Sequence, residues 1–154
     1  MANTEAYFDS SLLVKLYHPE PGSAETARLA STYTALPLSF IAEMELRNTL
    51  RALHGRSVIN RRKMEAALDC IDQDCETGRL YRLRLDPIAV EKCAFELSES
   101  YTTQFLGRTL DILHVANAST AGCKVFVTSD KRQAKLAQAA ALEVDFIDLQ
   151  QITP

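Results

Sequence analysis

Four acidic residues interrupt or end apolar segments of this chain, and they are its strongest candidates for chemistry. They are Asp9, Glu45, Asp111 and Asp130. Carboxylates are rarely buried unless they are paired or bound to a cation. Several carboxylates gathered in one place repel each other, and a hard divalent cation is the usual remedy. The four residues therefore predict a shared metal site, provided that the fold brings them together.

Each carboxylate taken alone has a simpler structural explanation. Asp9 follows a short apolar strand and suits a turn, and Glu45 lies where a helix margin would let it reach water. Asp111 lies in the first turn of a predicted helix and Asp130 precedes another, and both positions favour acidic residues. The four together favour one site, in which Asp130 would hold a metal through water.

Helical periodicity selects Glu45 rather than its neighbour Glu43. A helix that begins near Phe40 places Glu45 within an apolar face, at 100° per residue. The other members of that face are Ile41, Ala42, Leu46, Thr49, Leu50 and Leu53. Glu43 falls at the edge of the face, where it can pair with Arg47 four residues on. We therefore expect Glu43 to be a solvated charge.

The predicted helix that carries Asp111 is apolar nearly all round, which indicates deep burial. Its apolar residues are Leu110, Ile112, Leu113, Val115, Ala116 and Ala118. His114 follows one turn after Asp111. We expect it to be a structural histidine of this buried helix rather than a metal ligand.

The rest of the sequence alternates short apolar runs with longer helical stretches. Strands are predicted over 6–8, 35–38, 80–85, 125–128 and 144–147. Helices are predicted over 12–17, 23–31, 40–54, 60–76, 87–101, 109–121 and 131–141. Ser10 and Ser11 are expected to cap the first helix, and Ser39 the third. Strands separated by helices predict an α/β fold, a three-layer α/β/α sandwich with a mostly parallel central sheet.

The predicted strand ends indicate where the carboxylates meet. In open parallel sheets, sites form at the carboxyl ends of the strands. Asp9 and Asp130 both follow predicted strands, so we expect them to lie at the same edge. Ser10 and Thr128 could add hydroxyl or water-mediated contacts to the same cluster.

The composition is that of one ordinary globular domain, expected to span residues 1–154. The chain is 47% hydrophobic and 24% charged, and no apolar run approaches the roughly 18 residues of a membrane span. Residues 1–5 contain no basic region and no apolar core, so we expect no signal peptide and a cytoplasmic location. The four cysteines form no CxxC pair and have no nearby histidine, which argues against zinc and favours reduced thiols.

The formal net charge of −3 argues against a general nucleic-acid coat protein, which needs a broad basic surface. It does not exclude a nuclease, because metal ions at a site can carry the positive charge. Basic residues do cluster over 47–63 and 79–84. They could form a solvated surface, or they could contact phosphates or a partner, and both alternatives stay open.

Four segments resemble, in order, the motifs of the PIN-domain family. Segment 7–17 (YFDSSLLVKLY) is similar to the first motif. Segment 38–50 (LSFIAEMELRNTL) is similar to the second, in which a serine precedes the acidic residue by six positions. Segments 109–116 (TLDILHVA) and 126–132 (FVTSDKR) are similar to the third and fourth. The resemblance covers nearly the whole chain and is greatest to the VapC-type toxins of toxin–antitoxin pairs.

The resemblance implies a metal-dependent endoribonuclease. Mg²⁺ or Mn²⁺ held by Asp9, Glu45, Asp111 and Asp130 would activate a water, clamp the phosphate and stabilise the leaving oxygen. The implied products carry a 5′-phosphate and a 3′-hydroxyl. No histidine or cysteine nucleophile is needed for this chemistry.

The resemblance also implies protein partners. VapC-like proteins are usually held inactive by a VapB-like antitoxin, whose tail wraps a hydrophobic groove and places a basic side chain near the acidic site. Helices near 24–29 and 64–71 could line such a groove, or they could pack into the core. Homodimers are also common in the family.

Two other classes of protein compete with a nuclease. A catalytically silent PIN-like module would keep the fold and bind RNA or a protein, but the presence of all four carboxylates disfavours it. Aspartyl-phosphate phosphotransferases also place Asp after a first strand. The haloacid-dehalogenase pattern requires a second Asp two positions later, where Ser11 stands. A receiver domain requires a phospho-accepting Asp and a strand-end Lys, and neither is evident.

Overall fold

The computed structural model describes residues 6–152, so residues 1–5, where we expect no signal peptide, and residues 153–154 lie outside the description. The strands are β1 (Ala6–Phe8), β2 (Leu36–Leu38), β3 (Leu80–Arg82), β4 (Val125–Thr128) and β5 (Glu143–Phe146). The helices are α1 (Ser10–Tyr17), α2 (Ser23–Ala30), α3 (Phe40–Gly55), α4 (Arg61–Glu76), α5 (Pro87–Phe105), α6 (Thr109–Thr120) and α7 (Lys131–Ala139). No helix between residues 6 and 152 has the length and apolar character that crossing a membrane requires.

The strand pairings are parallel, as the helical crossovers predict. β4 lies between β1 and β5, and β2 pairs with β3. Helices α1 to α4 pack against one another, and α5 to α7 form a second group. The predicted α/β/α fold with parallel strands is therefore confirmed.

The strands form two hydrogen-bonded groups, whereas the sequence predicts one sheet. β1 and β2 are neighbours, yet no ladder joins them within the described part of the chain. On the β3 side of β2, Leu36 donates to the carbonyl of Arg79 and the carbonyl of Leu38 accepts from Leu83. Pro37 is the residue of β2 whose backbone faces the opposite side, and it has no N–H to donate. This missing donor accounts for the break in the sheet.

Three element boundaries also differ from the prediction. α1 begins at Ser10, because Asp9 rather than Ser10 or Ser11 takes the N-cap position. β3 ends at Arg82 rather than at residue 85, since its partner β2 has only three residues before α3 begins. α5 continues to Phe105, and the next residue leaves the helix with a left-handed backbone.

The orientation of α3 agrees with the periodicity of its sequence. The side chain of Ser39 caps this helix by accepting the N–H of Ala42, as predicted. Leu46 and Leu50 are fully buried, while Met44 is 51% exposed. Thr49 differs from the prediction, because it is exposed.

Two substitutions on either side of Glu45 test this orientation. Leu46→Ala removes a fully buried side chain and should lower the free energy of unfolding by about 2–5 kcal/mol. Met44→Ala removes a half-exposed side chain and should change that free energy by no more than about 1 kcal/mol. Urea unfolding followed by circular dichroism measures both quantities. Equal losses in the two variants would contradict the orientation of α3.

Candidate active site

One polar cavity of about 620 Å³ collects the four acidic residues that the sequence singles out. Its lining comprises Asp9, Ser10, Ser11, Glu45, Arg108, Thr109, Leu110, Asp111, His114, Ser129 and Asp130. These residues come from four separate segments of the chain. The structure therefore brings the predicted carboxylates together, while their role as metal ligands stays a prediction.

The parallel pairing of β1 with β4 fixes two of the carboxylates. Phe8 is in register with Val127, and the N–H of Asp9 donates to the carbonyl of Val127 over 2.9 Å. Asp9 and Asp130 thus follow neighbouring strands at the same edge, as the strand-end argument predicts.

Asp9 is buried, and both of its carboxylate oxygens accept hydrogen bonds. Ser11 Oγ donates to Oδ2 over 2.5 Å, and Gln133 Nε2 donates to Oδ1 over 3.2 Å. Gln133 is held in turn by Thr128, whose hydroxyl donates to its Oε1 over 2.7 Å. Thr128 therefore supports the site through Gln133. The sequence motifs do not single out Gln133, although its position one turn into the helix after Asp130 is a signal that could indicate it.

Glu45 is partly exposed and is held by two side chains. Ser10 Oγ donates to Oε1 over 3.1 Å, and Nε2 of His114 is hydrogen-bonded to the same oxygen. The hydrogen bond from His114 holds the pKa of Glu45 below its usual range, although desolvation opposes it. Ser10 therefore makes the hydroxyl contact that the sequence predicts, and Glu45 stays ionised at neutral pH.

Asp111 and Asp130 have the capping contacts that a simpler explanation of each predicts, and both still face the cavity. Oδ2 of Asp111 accepts the N–H of Arg108 over 3.0 Å. Oδ1 of Asp130 accepts the N–H groups of Arg132 and Gln133 over 2.8 and 3.1 Å. Each of these residues can cap a helix and also belong to the site, because the cap uses only one oxygen of its carboxylate.

The donor chemistry of the cavity fits a hard divalent cation. Within residues 6–152, hydrogen bonds reach only one oxygen of Glu45, of Asp111 and of Asp130. The second oxygen of each is thus open to a further ligand. No three His, Cys, Asp or Glu side chains in that range are already spaced as a metal-binding group. The open carboxylate oxygens suit Mg²⁺, which keeps several waters and needs few direct protein ligands, whereas the lack of a pre-formed group of three ligands in the described range does not by itself support a metal site.

Arg108 is the one Lys or Arg among the described residues that line this cavity. Its guanidinium lies 3.5 Å from Oδ2 of Asp111 and 3.9 Å from Oδ2 of Asp130. The side chain is 75% exposed, so it can leave both carboxylates at little cost in free energy.

His114 is buried, as the sequence predicts, but it also lines the cavity. Besides Glu45, its Nε2 approaches Oδ1 of Asp9 to 3.9 Å. His114 is therefore a buried residue of α6, as expected, and it also contacts carboxylates of the cavity. Its spacing three residues after Asp111 places the two side chains on one face of α6, and this signal could have indicated the contact.

Some acidic and basic residues outside the cavity pair with each other. Glu43 accepts from Arg47 and from Arg82 over 3.0 and 2.8 Å, so it makes the predicted pair with Arg47, but its side chain is only 18% exposed rather than solvated. Arg47 also pairs with Asp72, and its side chain is 17% exposed. These pairs favour the solvated-surface alternative for Arg82, whose side chain is 56% exposed. The four cysteines are free thiols, and none lines the cavity.

Several solved structures share the fold at low sequence identity. FitAcB from Neisseria gonorrhoeae is 20% identical, with a TM-score of 0.62 over 96% of this chain and 99% of that chain. VapBC2 from Rickettsia felis, bound to a DNA fragment from its promoter, is 15% identical, with a TM-score of 0.65 over 94% and 100%. VapC20 from Mycobacterium tuberculosis, a sarcin-ricin loop cleaving toxin, is 15% identical, with a TM-score of 0.58 over 79% and 87%. At these identities the likeness concerns the fold.

A family model adds a match at the level of sequence. No curated protein matches the chain. The model of the PIN domain matches residues 6–139. That range contains the paired strands β1 and β4 and every described residue that lines the acidic cavity. The chain therefore belongs to the PIN-domain family.

Proposed function

We propose that this protein is an Mg²⁺- or Mn²⁺-dependent endoribonuclease that acts in the cytoplasm as the toxin of a VapC-type toxin–antitoxin pair. The observation that carries the proposal is the convergence of Asp9, Glu45, Asp111 and Asp130 on one cavity. Three of these carboxylates keep an oxygen free of described hydrogen bonds, which leaves that oxygen open to a cation.

The four carboxylates would hold the cation in different ways. Glu45 and Asp111 have open oxygens and would hold the cation through them. Asp9 would hold it through an oxygen that accepts a hydrogen bond from a neutral side chain. Asp130 keeps Oδ1 in its helix cap and acts through water. A bound divalent cation supplies an activated water and offsets the charge of the scissile phosphate.

The remaining polar residues of the cavity orient these groups. Ser11 and Gln133 hold Asp9, and Ser10 holds Glu45. Arg108 faces Asp111 and Asp130 with an exposed side chain, so it would be free to contact a phosphate of the RNA once a cation neutralised those carboxylates. A planar guanidinium suits this role because it can donate two hydrogen bonds to one phosphate.

A VapB-like antitoxin is the proposed protein partner, and a homodimer the proposed assembly. The likeness to VapBC2 supports the antitoxin, as does a second cavity of about 700 Å³ along α4. Ala66, Ala67 and Cys70 of that helix line it together with Leu16 and Tyr17 of α1. A basic side chain from the antitoxin would meet the acidic cavity with complementary charge.

A catalytically silent module that binds RNA or a protein is the competing function. One observation favours it: between residues 6 and 152, no three potential ligands are already grouped for a metal ion. Metal-dependent cleavage and metal binding by the purified protein distinguish the two functions.

Removal of single carboxylates tests the cleavage reaction. Asp9→Asn, Asp111→Asn and Glu45→Gln should each lower the rate of RNA cleavage with Mg²⁺ by roughly 100-fold or more, because each weakens the hold on the cation. Glu43→Gln is the matched control, since Glu43 lies on the same helix as Glu45 but pairs with surface arginines. It should cleave at the wild-type rate. Wild-type rates in Asp9→Asn and Asp111→Asn would show that this site is not catalytic.

Thermal unfolding tests metal binding without any assay of cleavage. A cation present at ten times its dissociation constant should stabilise the folded protein by about 1.4 kcal/mol. For a domain of this size the melting temperature should rise by roughly 3–6 °C. Mg²⁺ and Mn²⁺ should both act on the wild type and on Glu43→Gln, and Asp111→Asn should lose most of the shift. Unchanged melting of the wild type at millimolar metal would favour the silent module.

Substitution of Arg108 should change metal and RNA binding in opposite directions. Arg108→Gln removes a cation that competes for Asp111 and Asp130, so metal binding should tighten by up to about fivefold, within the roughly 1 kcal/mol of an exposed ion pair. The KM for RNA should rise, because a phosphate contact is lost. Arg108→Lys keeps the charge and should stay closer to the wild type in both quantities. Metal titration and steady-state kinetics measure the two effects, and changes in the same direction would contradict this role.

A further inference from the structure

Glu45 differs from the other three carboxylates of the cavity in its position along a helix. Asp9 is the N-cap residue of α1, Asp130 is the N-cap residue of α7, and Asp111 lies in the first turn of α6. A helix N-terminus stabilises negative charge, but the effect fades within one turn. Glu45 is the sixth residue of α3, beyond that range. Its carboxylate therefore depends on side chains for its orientation.

A buried chain of hydrogen bonds supplies that orientation. The hydroxyl of Tyr7 lies 2.6 Å from Ser39 Oγ and 2.8 Å from Nδ1 of His114. The other ring nitrogen of His114 contacts Glu45. Tyr7, Ser39 and His114 are each at most 1% exposed. Because Ser39 also caps α3, the chain links the start of this helix to Glu45 through β1 and α6.

When His114 is neutral, one pattern of donors satisfies every member of this chain. The ionised carboxylate of Glu45 can only accept, so Nε2 of His114 carries the proton. In a neutral ring Nδ1 then accepts, and the donor to it is the hydroxyl of Tyr7, which burial keeps protonated by raising its pKa. The hydroxyl of Ser39 donates to Tyr7 while its oxygen accepts from Ala42. The chain thus selects the tautomer of His114 that can hold Glu45.

We propose that Tyr7, Ser39 and His114 are positioning residues that set one tautomer of the histidine and thereby fix the Glu45 carboxylate for a divalent cation. This inference rests on the proposed function, because it assigns to Glu45 a direct contact with the cation. An apolar core would need none of these buried polar groups. The chain therefore provides an orientation of Glu45 that hydrophobic packing alone would not give.

Tyr7→Phe tests the proposal at a distance from the carboxylates. The ring keeps its stacking on Phe126, but the donor to Nδ1 of His114 is lost. The Nε2–H tautomer should lose its dominance in ¹⁵N-detected NMR of the histidine side chains. The dissociation constant for Mn²⁺, measured by isothermal titration calorimetry, should rise by roughly 10-fold, as for other residues that orient metal ligands. RNA cleavage should be partly recovered at high metal concentration.

Two further variants separate positioning from a general loss of stability. Tyr101→Phe removes another tyrosine hydroxyl, which donates to the backbone of Ala139, and it should leave the tautomer of His114 and the Mn²⁺ affinity unchanged. His114→Gln keeps an amide N–H for Glu45 but has no tautomer to select. In that background, Tyr7→Phe should weaken Mn²⁺ binding by less than about twofold, because the effect of Tyr7 passes through the histidine ring that His114→Gln has already removed.

The outcomes distinguish this inference from the proposed function. If the wild type binds Mn²⁺ and Tyr7→Phe binds it equally well, the positioning role is wrong and the proposed nuclease stands. If the wild type binds no divalent cation, the proposed function is wrong and the inference fails with it. A loss of affinity in Tyr7→Phe that persists in full in the His114→Gln background would also overturn the proposal, because the effect would not pass through the tautomer.

Discussion

Electrostatic repulsion among four carboxylates on one cavity is the constraint that the rest of the structure has to satisfy. Position offsets this repulsion for three of them. Asp111 and Asp130 accept backbone N–H groups at the start of a helix, and Asp9 is the N-cap residue of α1, where the helix dipole favours negative charge. The fold thus directs three helix N-termini at one point. The strand ends of β1 and β4 make this possible, because they set the start of α1 and α7 side by side.

Glu45 lies outside this arrangement and receives side-chain donors instead. Ser10 and His114 both donate to it, and they belong to the helices that also carry Asp9 and Asp111. Helices α1, α6 and α7 therefore each supply a side chain that holds a carboxylate on another element. A network of this kind couples the geometry of the four groups, since a shift of one helix moves the donors of its neighbour.

The local elements around the site follow from short-range rules and were largely predictable. Ser39 at the cap of α3, the apolar face that selects Glu45, and the capping positions of Asp111 and Asp130 all depend on residues within one or two turns. The end of β3 and the break in the sheet depend instead on partner strands. β3 is short because β2 is short, and Pro37 withholds the N–H that would have joined β2 to β1. Single-segment patterns do not contain this information.

The class of fold, the parallel order of strands and helices, and the four acidic residues of the cavity are predictable from the amino-acid sequence, because they follow from periodicity, capping chemistry and motif resemblance. The neutral groups that hold these carboxylates become apparent only in the folded chain. In the sequence, nothing distinguishes Gln133, Tyr7 and His114 from ordinary core or helix residues. Gln133 contacts Asp9, His114 contacts Glu45, and Tyr7 contacts His114. These bonds join residues up to 124 positions apart, and hydrogen bonds over that separation exist only after the strands have paired.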